Sequence, residues 1–192
     1  MVALPVDRHT DITVEQYLVL EADAPVKHEY YNGEIIAMSG ARYNHTQIAS
    51  NVLTRLNVQL ENRPNCSAVA SDLRVRVSET IFFYPDVVAV CDGQFTDANQ
   101  LVLTNPALIV EVTSPSTALY DRTTKLEAYK RMPSVQEILI IDQYRVHIDQ
   151  YTRLDEGWLV REFATLNNVI TMGSLGCTLA LSEVYAKVTF PE

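Results

Sequence analysis

The sequence predicts an α/β (α+β) fold in which helices flank a curved, mixed sheet. Residues 81–90 and 106–113 are nearly continuous apolar runs, which is typical of strands that are covered on both faces. The segment 117–132 has the length of a helix and precedes a third apolar run at 135–141. A helix between two buried strands indicates a crossover connection, and therefore some parallel pairing.

The N-terminal part of the chain predicts a helix followed by a hairpin. Thr13 and Gln16 fit the S/T-x-x-E/Q capping box, so we expect a helix that begins there and ends near Ala22. Residues 27–38 contain the dipeptide Asn32-Gly33, which favours a tight turn between two antiparallel strands.

A second helix and a run of alternating residues follow. Asn44 or Thr46 would cap the helix, and Pro64 would end it. The apolar residues of this helix recur every four positions and are Ile48, Val52, Leu56 and Leu60. Over residues 67–77 the period changes to two, which predicts a strand with Asp72 on its polar face.

The C-terminal part predicts a closing hairpin and a weakly patterned tail. The hairpin strands are expected at 145–151 and 158–163, and the tail has a short apolar segment near 179–184. Because the sequence has no repeat, no linker and no low-complexity segment, we expect one domain over residues 1–192 with an ordered core of about 13–185.

Composition restricts the class of protein. With 47% hydrophobic and 20% charged residues, the chain has ordinary globular composition. No apolar run reaches the roughly 18–20 residues that span a bilayer, and no signal-peptide pattern is evident. The three cysteines (Cys66, Cys91 and Cys177) are odd in number and far apart, so we expect reduced thiols and a cytoplasmic location. The net charge of −9 argues against tight non-specific binding of nucleic acid, but not against metal-assisted cleavage.

Two acidic residues interrupt apolar strands and are the strongest functional signal. Asp86 follows Tyr84-Pro85, and Glu111 lies within Leu108–Val112. A carboxylate in such a run is costly to desolvate unless a partner or a metal compensates it. Oxygen ligands suit Mg²⁺ or Mn²⁺. Taken singly, Asp86 is also explained as a strand-entry residue, and Glu111 as half of a buried ion pair with Arg74 or Arg76.

Lys125 falls on the buried arc of the helix that follows Glu111. A lysine there suits phosphoryl-transfer chemistry, although it could instead snorkel or pair with Asp121 at i,i+4. Asp72 could line the same pocket or merely pair with neighbouring arginines. For His45 at a helix N-terminus, a capping or packing role competes with a phosphate contact.

The chain resembles the Uma2 family, a group of restriction-endonuclease-like proteins abundant in cyanobacteria, and the wider PD-(D/E)XK nuclease superfamily. The resemblance covers Thr13 to about Tyr185. The segments that carry it are Asn32–Ile35, Gly40–His45, Ser71–Val75, Tyr84–Asp86, Glu111–Thr117 and Asp121–Tyr129.

The resemblance implies a restriction-endonuclease-like fold with a divalent metal site. Asp86, Glu111 and the peptide carbonyl of Val112 would be the metal ligands. The superfamily places a lysine two residues after the second acid, but this chain has Thr113 there. Lys125 is the expected substitute, because a lysine that reaches the same pocket from another element has the same electrostatic effect.

The sequence therefore predicts an endonuclease that uses Mg²⁺ (or Mn²⁺) to hydrolyse DNA phosphodiester bonds. Its catalytic residues would be Asp86, Glu111 and Lys125, and Glu34, His45 and Asp72 would line the pocket. The partner would be nucleic acid, namely DNA, with no membrane, and a homodimer would suit double-strand cleavage. The alternatives are a catalytically inactive nucleic-acid-binding or protein-interaction module on the same fold, and a nuclease acting on RNA or on branched or damaged DNA.

Overall fold

The computed structural model describes residues 8–9, 11–38, 40–114 and 117–190, so residues 115–116, which precede the predicted helix, lie outside it. The helices in this part of the chain are α1 (Val14–Ala22), α2 (Tyr43–Leu60), α3 (Ala118–Tyr120), α4 (Leu126–Lys130) and α5 (Leu181–Val184). A π-helical turn, Asp121–Lys125, joins α3 directly to α4. Within these described ranges, no helix is both long and apolar enough to cross a membrane.

The strands of the described residues form two six-stranded mixed sheets and one separate hairpin. The N-terminal sheet has the spatial order β1 (Arg8–His9), β3 (Glu34–Ala37), β2 (His28–Tyr31), β6 (Ile81–Phe83), β5 (Arg74–Ser78) and β8 (Val102–Leu103). The main sheet has the order β12 (Gly157–Phe163), β11 (Ile148–Leu154), β10 (Glu137–Asp142), β9 (Leu108–Thr113), β7 (Val87–Cys91) and β4 (Cys66–Ala70). The hairpin pairs β13 (Val169–Met172) with β14 (Cys177–Ala180).

The main sheet decides which way Glu111 points. Its strands β9 and β10 run parallel, with Glu111 opposite Ile140, so the predicted crossover is confirmed. Side chains alternate between the faces of a strand. Val110 and Val112 accordingly join the core under α2, whereas Ile109 joins the core under α4. Glu111 shares the α4 face.

The chain passes from one sheet to the other at Tyr84-Pro85-Asp86. The single strand predicted over 81–90 is therefore wrong in that detail, since β6 belongs to the N-terminal sheet and β7 to the main sheet. The alternating run 67–77 is likewise divided, between β4 and β5, by a turn in which the Leu73 amide donates to the Ala70 carbonyl. Alternation predicted extended backbone correctly, but it carries no information about the sheet to which a strand belongs.

Other local predictions had mixed outcomes. The capping box of α1 is confirmed, because the Thr13 and Gln16 side chains each accept a hydrogen bond from the other residue's backbone amide. The predicted cap of α2 is wrong: Arg42 is the N-cap and makes no side-chain capping hydrogen bond. The tail contains a hairpin and a helix that its weak pattern did not predict.

The expectation that all three thiols are reduced is also wrong. Cys66 and Cys91 lie opposite each other on β4 and β7 and form a disulfide, while Cys177 is free and buried. The two half-cystines are 25 residues apart in the sequence. Only the antiparallel register of the two strands brings them together.

Candidate functional site

Lys125 is the centre of a buried cluster of carboxylates. Its Nζ lies 2.6 Å from Glu29 Oε1, 3.1 Å from Glu111 Oε1 and 3.6 Å from Asp121 Oδ1. All four side chains are almost completely buried. The lysine therefore connects the N-terminal sheet, which carries Glu29, to the main sheet, which carries Glu111.

Asp121 and Lys125 lie four residues apart in the π-helical turn, and both face this cluster. The Leu126 amide donates to the Asp121 carbonyl, five residues back, which widens the helix at this point. Such π-bulges are rare in proteins overall, and those that occur are often located at functional sites. One turn further along, the Tyr129 hydroxyl donates a 2.6 Å hydrogen bond to Glu111 Oε1, so that Glu111 is held from the same helix by a cation and a hydroxyl.

Asp86 lies beside this cluster and has different partners. Its Oδ2 accepts a 2.7 Å hydrogen bond from the Val112 amide and lies 3.2 Å from His45 Nε2. The link between Asp86 and Glu111 is thus the backbone of Val112, the residue that follows Glu111. The side chains of Asp86 and His45 are 13% and 16% exposed, against 4% and 6% for Glu111 and Lys125, so the site is more accessible from the Asp86 side.

Acidic groups outnumber cationic groups in the cluster. Burial raises the pKa of Glu111 well above its ordinary value, and the neighbouring Asp121, Asp86 and Glu29 add to the rise. Burial alone would lower the pKa of Lys125, but Glu111, Glu29 and Asp121 outweigh it and hold that pKa well above its ordinary value. Three carboxyl groups contact one ammonium group, which is an environment that favours a further cation.

The pKa of His45 is likewise set by a balance between burial and neighbouring groups. Burial lowers the pKa of its imidazole, but the hydrogen bond and charge of Asp86, together with a hydrogen bond to the backbone of Val112, outweigh burial and raise it. A backbone group that raises the pKa of an imidazole stabilises its protonated form, so the contributing group of Val112 is the carbonyl oxygen.

A second buried network supports the Tyr84-Pro85-Asp86 crossing. The Tyr84 hydroxyl donates to Glu21 Oε1 at 2.8 Å and accepts from Arg74 Nε at 3.0 Å. The Tyr84 amide also approaches Glu29 Oε1 at 3.4 Å. The ion pair of Glu111 with Arg74 or Arg76, considered from the sequence, is therefore wrong: Arg74 binds Tyr84, and Arg76 pairs with Glu79.

The structure brings together some predicted site residues and separates others. Glu111 meets Lys125, and Asp86 meets His45 and Val112. The Asp72 side chain is 96% exposed and pairs with Lys27. Glu34 lies on β3 opposite Tyr31, and Glu29 from β2 supplies a carboxylate that contacts Lys125.

Sequence reasoning missed Glu29 and Tyr129. Glu29 had a usable signal, because it is an acid in the strand sequence His-Glu-Tyr-Tyr, much as Glu111 is an acid in an apolar strand. Tyr129 had none, since a tyrosine on the buried arc of a helix is indistinguishable from an ordinary core residue.

A separate acidic group lies on β11 and β12. Ligand atoms of His147, Asp149 and Glu162 lie within 4.8 Å of one another, and among the described residues this is the one such group of three. Asp149 is already engaged by Arg122 on one oxygen and by His147 Nε2, at 3.0 Å, on the other. Its charge is therefore compensated by the protein itself, in contrast to the excess around Lys125.

Comparison with known proteins gives consistent results. The sequence model of the Uma2 family, described as "Putative restriction endonuclease", matches residues 14–182. The chain is 36% identical over 154 residues to the uncharacterized protein sll1609 of Synechocystis sp., which covers 79% of this chain and 86% of that protein. It is 33% identical over 181 residues to the uncharacterized protein slr1290 of the same organism, covering 93% and 94%.

A solved structure shares the fold. The crystal structure of "a putative nuclease belonging to DUF820" from Anabaena variabilis matches with a TM-score of 0.78 at 18% identity, and the match covers 93% of this chain and 99% of that one. The predicted restriction-endonuclease-like fold, with mixed sheets flanked by helices, is therefore confirmed.

Proposed function

This chain belongs to the Uma2 family, and on that premise we propose that it is a divalent-metal-dependent endonuclease that hydrolyses phosphodiester bonds in DNA. The observation that carries the proposal is the contact of Lys125 Nζ with Glu111, one residue from the Val112 amide that binds Asp86. The family description supports a nuclease-like function.

The residues present fit a metal. Asp86, Glu111 and the Val112 carbonyl would offer oxygen ligands, which suit Mg²⁺ or Mn²⁺. The excess of carboxylates around Lys125 is the observation that favours such an ion. A bound divalent ion would supply a water of lowered pKa and would stabilise negative charge on the phosphate.

The protein groups have distinct roles in this proposal. Lys125 stays protonated among its carboxylates and donates to a phosphate oxygen or to the attacking water. Glu29 and Asp121 hold the Lys125 ammonium in place when Glu111 turns toward a ligand. Thr113 cannot replace the superfamily lysine, because it is buried and its hydroxyl donates to the Ile141 carbonyl.

Substrate would approach from the side of Asp86 and His45, where the site is most exposed. The net charge of −9 makes cleavage dependent on local contacts and a metal rather than on a broad basic surface. Glu34 and Asp72 as pocket-lining residues, and a homodimer that cuts both strands, remain proposals of the sequence analysis.

The test combines Mn²⁺ titration by calorimetry with nicking of supercoiled plasmid DNA. We expect the wild type to bind Mn²⁺ and to nick the plasmid, and chelation with EDTA to stop the reaction. Glu111→Gln should lose both properties. Glu162→Gln, which removes an acid of the separate group on β12, is the matched control and should keep both. Nicking that persists in Glu111→Gln, or a wild type that binds no metal, would contradict the proposal.

A second candidate is a catalytically inactive binding module on the same fold. The observation in its favour is that the side chains of Glu111 and Lys125 are nearly inaccessible to solvent and already pair with each other. In that case, DNA or RNA oligonucleotides would bind without cleavage, and the Glu111→Gln variant would bind them as well as the wild type.

A further inference from the structure

We propose that His45 is a nitrogen ligand of the metal, so that the site prefers Mn²⁺ or another transition-metal dication over Mg²⁺. This inference rests on the metal site of the proposed function and adds a residue to it. It also identifies the class of cation.

The position of His45 is the first argument. Its imidazole contacts Asp86 Oδ2 at 3.2 Å, and the same carboxylate oxygen accepts a 2.7 Å hydrogen bond from the Val112 amide. Asp86 and Val112 supply two of the three oxygens that would hold the metal. The imidazole therefore borders the position that a cation shared by these two groups would occupy.

The spacing is the second argument. Two ligands at adjacent octahedral positions, each about 2.1 Å from a metal, are about 3 Å apart. The 3.2 Å between His45 Nε2 and Asp86 Oδ2 is close to that value. A neutral imidazole and this carboxylate can thus share a cation with little movement.

The third argument is that helix α2 holds His45 in a fixed position. It lies in the first turn of the 18-residue helix α2. The face of that helix formed by Ile48, Val52, Leu56 and Leu60 is buried against the main sheet. Because the helix is fixed and the imidazole is mostly buried, a metal that binds Asp86 must either share its site with His45 or displace a packed side chain. Sharing requires less rearrangement.

The chemistry of the donor set then decides the preference. Mg²⁺ is bound mainly by oxygen ligands and retains several waters, whereas imidazole suits transition metals. A site with two carboxylates, a carbonyl and one imidazole should discriminate against Mg²⁺.

The decisive experiment is electron spin echo envelope modulation of protein-bound Mn²⁺. The wild type should show coupling to a directly bound ¹⁴N nucleus, and labelling all histidines with ¹⁵N should change that coupling without any substitution. In His45→Gln the nitrogen coupling should disappear, and the calorimetric Kd for Mn²⁺ should rise about tenfold while that for Mg²⁺ changes less than about twofold. His147→Gln, in the separate acidic group, is the control and should retain the coupling.

Three results would overturn the proposal in distinguishable ways. In the first, Mn²⁺ binds the wild type and not Asp86→Asn, but the bound ion shows no nitrogen coupling. That result would exclude His45 as a ligand and leave the metal site intact. A nitrogen coupling that survives His45→Gln and disappears in His147→Gln would place the ion on β11 and β12. A wild type that binds no Mn²⁺ would end both this inference and the proposed function.

Discussion

Glu111 and Glu137 are buried acids on adjacent parallel strands, and the protein stabilises them in different ways. Glu137 accepts from the Gly173 amide at 3.1 Å, from the Ser174 hydroxyl, and more weakly from Gln150 Nε2 at 3.5 Å. All of these donors are neutral, and two of them come from the turn between β13 and β14. Burial nevertheless raises the pKa of Glu137.

Glu111 is stabilised instead by a hydroxyl and by an ammonium group that it shares with two other carboxylates. Fixed neutral donors bind a carboxylate in one position and leave nothing for a ligand to replace. A shared lysine is different, since a metal can take over the carboxylate while the lysine keeps its other partners. The comparison distinguishes a structural acid from one that is available for chemistry.

Removing the lysine should have the largest effect. In Lys125→Met, Glu29, Glu111 and Asp121 lose their cation in a buried site, so we expect the free energy of unfolding to fall by about 3–5 kcal/mol. Urea denaturation monitored by circular dichroism measures this change. Lys130→Met, which breaks a pair with the exposed Glu127, is the control and should change the free energy little. An equal effect of the two substitutions would show that the buried cluster does not depend on Lys125.

Metal addition should stabilise the protein only when Glu111 is present, whether or not Glu137 is intact. Mn²⁺ at 100 times its Kd should raise the free energy of unfolding by about 2.7 kcal/mol in the wild type and in Glu137→Gln. In Glu111→Gln the same concentration should have almost no effect, because a metal ligand is missing. Thermal unfolding with and without Mn²⁺ tests this. An equal rise in melting temperature in all three proteins would show that Glu111 is not a metal ligand.

Glu137→Gln should destabilise the fold by about 1–3 kcal/mol, because the new amide group meets a donor where an oxygen accepted a hydrogen bond. The loss should appear in urea denaturation, with the calorimetric Kd for Mn²⁺ unchanged. Weaker Mn²⁺ binding in this variant would mean that the two acids are coupled and that the distinction between them fails.

Asp72→Asn should have the smallest effect on stability, less than about 0.5 kcal/mol, because the side chain is exposed and its pair with Lys27 is at the surface. Its plasmid-nicking rate is the informative measurement. A rate equal to that of the wild type would remove Asp72 from the predicted pocket, whereas a clear loss would retain it as a residue that lines the substrate path.

Glu111 and Glu137 also show how far the sequence could predict the site. Glu111 was identified because an acid in an apolar strand needs compensation, and Lys125 because it falls on the buried arc of the next helix. The same rule applies to Glu29, where the shortness of the strand weakened the signal. Glu137 is the first residue of its strand. Nothing in the neighbouring sequence predicts that a turn more than 30 residues later supplies two of its hydrogen-bond donors.

Local patterns in the sequence by themselves determined the capping box of α1, the Asn-Gly hairpin, the parallel crossover between β9 and β10, and the two acids of the proposed metal site. These follow from side-chain periodicity and turn chemistry, which act over a few residues. Only the tertiary structure decided that Glu29 meets Lys125, that Cys66 pairs with Cys91, and that His45 lies against Asp86. Those contacts depend on strand register and on how two sheets and a helix pack together, and neither is encoded in any short stretch of the chain.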